Sequence, residues 1–246
     1  MTGIRRYSLV LSVKRGQWRN KGGTEPTDKD YQRIRPSVFA KDGNTCVFCE
    51  LTLSKGLEVH HKNDNHADNS ISNLVSSCRL CHAVHHIGFL AKSGVMCHIP
   101  DISMTDLNHL CRSIAIAAIS KDGDTAAIAA LIEGVLMESA NSFYTTWGTK
   151  NPADIGNALL ALPDEAYLSR ENVLEGARVV FHSKMLKTWA EGVSAVAYSS
   201  LPTSEWDGVA AQYLTESADE WESAGKLCET DYEGSKKRGG GSAQIG

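Results

Sequence analysis

Residues 46–49 read CVFC and residues 78–81 read CRLC, so that two Cys-x-x-Cys pairs stand 28 residues apart. Four thiolates at this spacing can close a tetrahedral zinc site when the chain between the pairs folds back on itself. A site closed by four protein ligands has no open position for chemistry, so its role is structural. The sequence therefore predicts one structural zinc ion bound by four side chains, Cys46, Cys49, Cys78 and Cys81.

Histidines are concentrated in the same region, since six of the nine lie between residues 60 and 86. His82 and His86 are four residues apart, so on one helix their imidazoles would share a face and could bind one ion. His60 offers a third nitrogen on an expected strand. Its neighbour His61 would point to the other side of that strand, or lie at its end, free to act as a base.

The order of these residues, with Asn73 between the two histidine pairs, resembles the ββα-metal motif of HNH endonucleases. The resemblance implies that His60, His82 and His86 bind a second divalent metal, which could be Mg²⁺, Mn²⁺, Ni²⁺ or Zn²⁺. It also implies that His61 deprotonates water and that Asn73 holds the loop that orients this base. The sequence departs from the motif in the loop, where Asp64 replaces a frequent proline and residues 63–69 are rich in Asn and Asp.

The composition is that of a folded protein of 246 residues with 42% hydrophobic side chains, enough for one large domain or two small ones. Four of the seven cysteines stand at metal-ligand spacing, a usage that favours a reducing cytosol. No run of about 18 apolar residues lacks charged and polar breaks, and the N-terminus lacks an apolar signal segment. We therefore expect a soluble cytoplasmic protein without membrane insertion.

Charge is distributed unevenly along the chain. Residues 1–41 carry ten Lys/Arg against three Asp/Glu, whereas residues 151–246 carry eight against fifteen. A basic N-terminal segment beside a metal site could contact DNA phosphates, and a solvated strand and loop would explain the same charges.

The pattern of strands and helices predicts the α+β class with a mainly helical C-terminal region. The HNH resemblance implies that the zinc-bound domain before this region is a small HNH-like ββα domain. The expected parts are an N-terminal strand and basic loop at 1–27, the zinc domain at 28–100, the helical region at 101–228 and a disordered tail at 229–246. Strands are expected at 5–14, 57–60 and 95–99, and Pro36 predicts two short helices at 28–34 and 36–42. Further helices are expected at 79–90, from Ser103, and at 125–140, 153–162, 170–198 and 204–227.

Residues 41–49 (KDGNTCVFC), 72–75 (SNLV), 99–102 (IPDI) and 106–111 (DLNHLC) resemble the IcmJ/DotN family of type IVB secretion systems, over about residues 28–120. The resemblance implies an HNH nuclease-like fold, zinc at the four cysteines and a cytoplasmic place in the coupling complex, through which the chain would associate with the membrane. The implied partners are the coupling-protein ATPase and its adaptor subunits. Conjugative plasmids carry relatives, so the resemblance implies DNA transfer as well as effector export as a setting.

Three functions follow as hypotheses. The first is an adaptor of a type IV coupling complex. The second is an active metal-dependent HNH endonuclease that cleaves DNA. The best-known members of the IcmJ/DotN family lack the HNH histidines, whereas this chain has all four. The third is a zinc-stabilised module with another binding role.

Overall fold

The computed structural model of the protein describes residues 7–15, 29–64, 68–120 and 123–187, all of which lie in one compact unit, Met1–Ser200. The fold is mixed α and β, with small antiparallel sheets, as the sequence predicts. The elements in chain order are α1 (Lys29–Lys41), β1 (Leu57–His61), β2 (Leu74–Cys78), α2 (Arg79–Val84), a 3₁₀ turn (Ile87–Phe89), β3 (Gly94–His98), α3 (Met104–Ala117), α4 (Gly123–Trp147), α5 (Pro152–Ala161), α6 (Asp164–Leu168), α7 (Arg170–Val173) and β4 (Ala177–Phe181).

The antiparallel hairpin of β1 and β2 carries two of the candidate metal ligands, His60 and Cys78, and the strand predicted at 57–60 is confirmed. In its register His60 lies opposite Val75 and His61 lies opposite Leu74. Because side chains alternate along a strand, His60 and His61 face opposite sides of the hairpin. One side packs against α1, in a hydrophobic cluster of Tyr31, Val38, Val59 and Leu74.

Helix α1 is continuous through Pro36, so the prediction of two short helices is wrong. Proline removes the hydrogen bond that its nitrogen would donate to the carbonyl of Gln32. Both residues lie on the exposed face of α1, where water can replace that bond, while Tyr31 and Val38 bury the opposite face. The packing of this buried face therefore maintains one helix.

The segment 7–15 is extended and buries Leu9, Leu11 and Val13, as the alternating pattern predicts. It is nevertheless not a strand, and the strand predicted at 5–14 is wrong for the residues that the structure describes. Its central residue Ser12 donates from its backbone nitrogen to Val84 and accepts from Ile87, which are a helix end and a 3₁₀ turn. Such partners cannot continue a ladder, so the segment forms a strap instead of a sheet edge.

The helix predicted at 79–90 ends at Val84, and His86 lies beyond it, immediately before the 3₁₀ turn. Helix α2 ends early because of packing: the 3₁₀ turn that follows it contacts α5, with the backbone of Gly88 against the backbone of Gly156. A Cβ atom added at Gly156 would lie 2.6 Å from the Cα of Gly88. The chain must turn after α2 for Gly88 to come this close to Gly156.

Replacing Gly156 with alanine is therefore expected to destabilise the protein by about 1–3 kcal/mol, because backbone atoms must move to admit the methyl group. For a chain of this size the loss corresponds to a melting temperature lower by about 2–4 °C per kcal/mol. Thermal unfolding followed by circular dichroism measures it.

The matched control is Gly134→Ala, since Gly134 lies in α4 with no atom within 4 Å of a new Cβ. Alanine there should stabilise the helix by about 0.5–1 kcal/mol. Equal melting temperatures for the two variants would contradict the close approach at Gly156.

The helix predicted at 170–198 is wrong in its first part. Residues 170–173 form only the short helix α7, and β4 then pairs antiparallel with β3, His98 opposite Ala177. Gly176 takes a positive φ of 71° at the turn between α7 and β4, and the Val-Val-Phe run that follows favours a strand. Residues 188–198, the helix predicted at 204–227 and the tail at 229–246 lie outside the described residues.

The helices α3, α4 and α5 confirm their predictions. Ser103 caps α3 by accepting from the backbone nitrogen of Asp106 at 3.0 Å, and Asn151 caps α5 by accepting from that of Ala153 at 3.0 Å. Helix α4 packs on β3 but presents exposed apolar side chains, among them Leu131 and Val135.

Among the described residues, one helical stretch, Gly123–Ala161, is long and apolar enough to cross a membrane, and 17% of its most apolar window is buried. By length and composition alone this is weak evidence for a membrane span.

Candidate metal centres

Four cysteine side chains meet beneath the hairpin. Cys46 and Cys49 lie in a turn that the backbone bond from Val47 to Ser76, 3.0 Å, ties to β2. Cys78 ends β2 and Cys81 lies in α2. All four are buried, and their sulfur atoms lie within 4.8 Å of one another, so the structure brings together every predicted ligand of the zinc site.

The sulfur positions fit a zinc ion. Zinc–sulfur bonds of about 2.3 Å in a tetrahedron place the sulfurs about 3.8 Å apart. The Sγ atoms of Cys49 and Cys78 are 3.6 Å apart, and both thiols are free.

The acid–base chemistry of the cluster also favours a cation. Hydrogen bonds from Cys46, Cys78 and Cys81 lower the pKa of Cys49, while bonds to Cys46 and Cys49 raise the pKa of Cys78 well above its usual range. Without a cation, four crowded thiols can therefore ionise only in part. A divalent ion removes that conflict, so this buried cluster can hold zinc.

A second cluster consists of His60, His82 and His86, whose ligand nitrogens also lie within 4.8 Å of one another. The Nε2 atoms of His82 and His86 are 3.3 Å apart, which matches the edge of about 3.3–3.4 Å between two nitrogens bound to one ion at 2.0–2.1 Å. The prediction that these three imidazoles converge therefore agrees with the structure, although His86 reaches the cluster from beyond the helix. The bound ion remains a proposal.

Glu58 orients this cluster. Its Oε2 lies 2.5 Å from Nδ1 of His82, so that Nδ1 carries a proton and Nε2 keeps its lone pair for a metal. A carboxylate behind a histidine ligand is a common arrangement in metal sites, because it fixes the ring and raises its basicity. Glu58 and His60 share one face of β1, two residues apart.

His85 packs against the ring of His60. Their rings stack with centroids 4.0 Å apart, and Phe48 tilts against His85 at 4.8 Å. Burial holds the pKa of His60 well below its ordinary range and lowers the pKa of His85 to about 3. Both rings are thus neutral, which leaves His60 able to donate a lone pair.

His61 does not join the cluster. It is 1% exposed, stacks on Tyr31 at 5.9 Å on the α1 side of the hairpin, and its Nε2 lies 3.0 Å from Oδ1 of Asn69. This contact places a proton on Nε2, so that Nδ1 is the nitrogen able to accept another proton.

Asn73 fastens the Asx-rich loop, as the HNH resemblance implies. Its Nδ2 donates to Oδ1 of Asn63 and to the carbonyl of Asp68, both at 2.9 Å, and its Oδ1 accepts from the backbone of Asn63 at 3.2 Å. Asp68 in turn accepts from the backbone and the hydroxyl of Ser70, which is the behaviour of a turn residue.

Two members of the histidine cluster, His82 and His86, line a cavity of about 490 Å³. Its other lining residues include the charged Glu58 and Arg79 and the apolar Phe89, Phe181 and Met185. In contrast to the cysteine cluster, this centre combines three ligands with an open approach.

Four residues beside these centres are missing from the sequence-based site: Glu58, His85, Asn108 and Arg112. The two-residue spacing of Glu58 and His60 on a strand is a signal that could have found Glu58. Asn108 and Arg112, in contrast, lie in α3, and no local pattern connects them with the cysteines.

No family model matches the chain. The type 4 apparatus protein DotN of Legionella pneumophila subsp. pneumophila is 21% identical to it in an alignment of 206 residues that covers 75% of this chain and 90% of DotN. This match confirms the resemblance to the IcmJ/DotN family that the cysteine pairs and the flanking motifs indicate.

Proposed function

We propose that this relative of DotN is a zinc-stabilised component of a type IV secretion or conjugation apparatus, where it acts as an adaptor in the coupling complex. The observation that carries the proposal is the similarity to DotN, which extends over 90% of that protein. The buried cysteine cluster supports it, since a zinc ion there would hold both cysteine pairs and the hairpin between them as one rigid body.

The adaptor would contact its partner through the exposed apolar face of α4. Leu131 and Val135 are 70% and 60% exposed and lie four residues apart on that face, beside Ile128. A helix face of this kind suits an amphipathic segment of the coupling ATPase.

The test is affinity purification of the tagged protein from its native host, with the captured proteins identified by mass spectrometry. We expect the coupling ATPase to co-purify with the wild type and to be lost with Leu131→Asp/Val135→Asp. The control Leu168→Asp alters a residue that is 77% exposed on α6 and should retain the ATPase. Absence of the ATPase from the wild-type sample would contradict the adaptor function.

A second function is supported by one specific observation, the histidine cluster that opens to a cavity. We propose as the alternative that the chain is an HNH-like endonuclease that uses a divalent metal at His60, His82 and His86 to hydrolyse DNA. Such an ion would polarise the scissile phosphate and stabilise its leaving oxygen.

In this mechanism the chain's own residues bind the phosphate, orient the metal ligands and deprotonate the attacking water. Glu58 fixes the His82 ring, and the guanidinium of Arg79 on the cavity wall neutralises a phosphate. His61, the expected base, lies on the α1 side of the hairpin and is 1% exposed, so its ring would have to turn towards the cavity before its Nδ1 could accept the proton of the attacking water. Asn69 and Asn73 hold this residue and its loop in place.

A further inference from the structure

Helix α3 presents a row of hydrogen-bond donors to the cysteine cluster. Thr105, Asn108 and Arg112 follow one another at intervals of three and four residues, so they share one face of the helix. The hydroxyl of Thr105 donates to the carbonyl of Phe48 at 3.4 Å, inside the first cysteine pair. This face of α3 is therefore directed at the metal-binding turns.

Two of these donors contact sulfur. Nη2 of Arg112 lies 3.2 Å from Sγ of Cys49 and 3.9 Å from Sγ of Cys78, and Nδ2 of Asn108 lies 3.5 Å from Sγ of Cys81. Three of the four cysteines thus receive a hydrogen bond from α3.

The burial of Arg112 gives these contacts their weight. Its side chain is 1% exposed and that of Asn108 is fully buried. A guanidinium at such depth needs nearby negative charge, because its transfer from water costs several kcal/mol. Zinc bound by four thiolates is a net dianion, so a cation beside it reduces the charge of the centre and is itself stabilised.

We propose that Arg112 and Asn108 are the outer hydrogen-bonding layer of the zinc centre, which retains the metal by neutralising its thiolates and fastens α3 to it. This inference rests on the proposed zinc site. A thiolate that accepts N–H bonds is less basic, so protons and chelators displace it from zinc more slowly. Retention of the metal therefore depends on a helix that supplies none of its ligands.

The test is the rate at which the zinc-loaded full-length protein releases zinc to a chromogenic chelator, at a temperature well below unfolding. Arg112→Met keeps the length of the side chain and removes its charge and donors. We expect it to release zinc roughly 10- to 100-fold faster than the wild type, since loss of such outer contacts weakens metal sites by that factor. Arg112→Lys keeps a charge without the planar fork, and should fall between the two.

The control is Arg170→Met. Arg170 makes structural contacts of the same kind, to the Leu11 carbonyl at 3.2 Å and the Ser12 hydroxyl at 2.9 Å, and none to a cysteine within the described residues. It should lower the melting temperature and leave zinc release unchanged.

Zinc release from Arg112→Met at the wild-type rate would overturn the inference. So would zinc release that Arg170→Met accelerates as much as Arg112→Met does. If Arg112→Met fails to fold, Arg112→Lys provides the test. Zinc release from Arg112→Lys at the wild-type rate would then overturn the inference. A wild-type protein that folds without zinc would refute the zinc site itself and the inference with it. If the wild type binds zinc but the variants release it at the wild-type rate, the inference is refuted and the zinc site stands.

Discussion

Cys78→Ser is expected to abolish zinc binding and, with it, most of the stability of the fold. Structural zinc contributes about 10–16 kcal/mol in zinc-finger peptides, as much as the entire stability of a typical domain, about 5–15 kcal/mol. Cys78 ends β2 and immediately precedes α2, so loss of the metal releases the hairpin and the turn of Cys46 and Cys49 together. Soluble yield, metal content by mass spectrometry and thermal unfolding measure the result.

The matched control is Cys97→Ser, because Cys97 is as buried as Cys78 but belongs to β3 and does not lie in the cysteine cluster. A hydroxyl in place of this thiol should cost about 1–3 kcal/mol and leave one zinc per chain. If both serine variants kept zinc and melted together with the wild type, the cysteine cluster would have no structural role.

His61→Ala is expected to lower metal-dependent nicking of supercoiled DNA by about 10²- to 10⁴-fold, the contribution of a general base. His82→Ala should abolish the nicking, since it removes a metal ligand and the partner of Glu58. Both changes lie outside the cysteine cluster, so each variant should keep the zinc ion bound by the four cysteines. Plasmid relaxation in Mg²⁺, Mn²⁺, Ni²⁺ or Zn²⁺ measures the rate.

The control is His98→Ala, a change of an exposed histidine on β3. It should nick DNA as the wild type does. Activity that persists undiminished in His61→Ala would come from a contaminant. A wild type that is inactive with all four ions would exclude the nuclease function and leave the adaptor function.

Features set by local sequence were predictable. The spacing of the cysteine pairs located all four thiols, the short runs at 57–60 and 95–99 located β1 and β3, and Ser103 and Asn151 marked the starts of α3 and α5. Each of these signals acts within a few residues, where capping and periodicity dominate.

Features set by contacts distant in sequence were not predictable. Strand β4 forms because β3 is available to pair with Val179 and Val180, about 80 residues away. Helix α2 stops before His86 because Gly88 must meet Gly156, and Pro36 remains helical because of the packing of the opposite face of α1.

The candidate site follows the same division. The histidine triad was found from spacing, although the single helix assumed for His82 and His86 does not exist. The position of His61 against Tyr31 and the contacts of Arg112 with the thiols depend on how α1 and α3 dock. Docking of whole helices leaves no pattern in either segment alone.

The proposed function depends on a zinc centre that is closed by four thiolates and is separate from the open histidine centre. Zinc K-edge X-ray absorption of the purified full-length His82→Ala protein tests it most directly, because that variant leaves the four cysteines intact. We expect one zinc per chain with four sulfur neighbours at about 2.3 Å and no nitrogen. A mixed sulfur and nitrogen environment, or a folded protein without zinc, would contradict it.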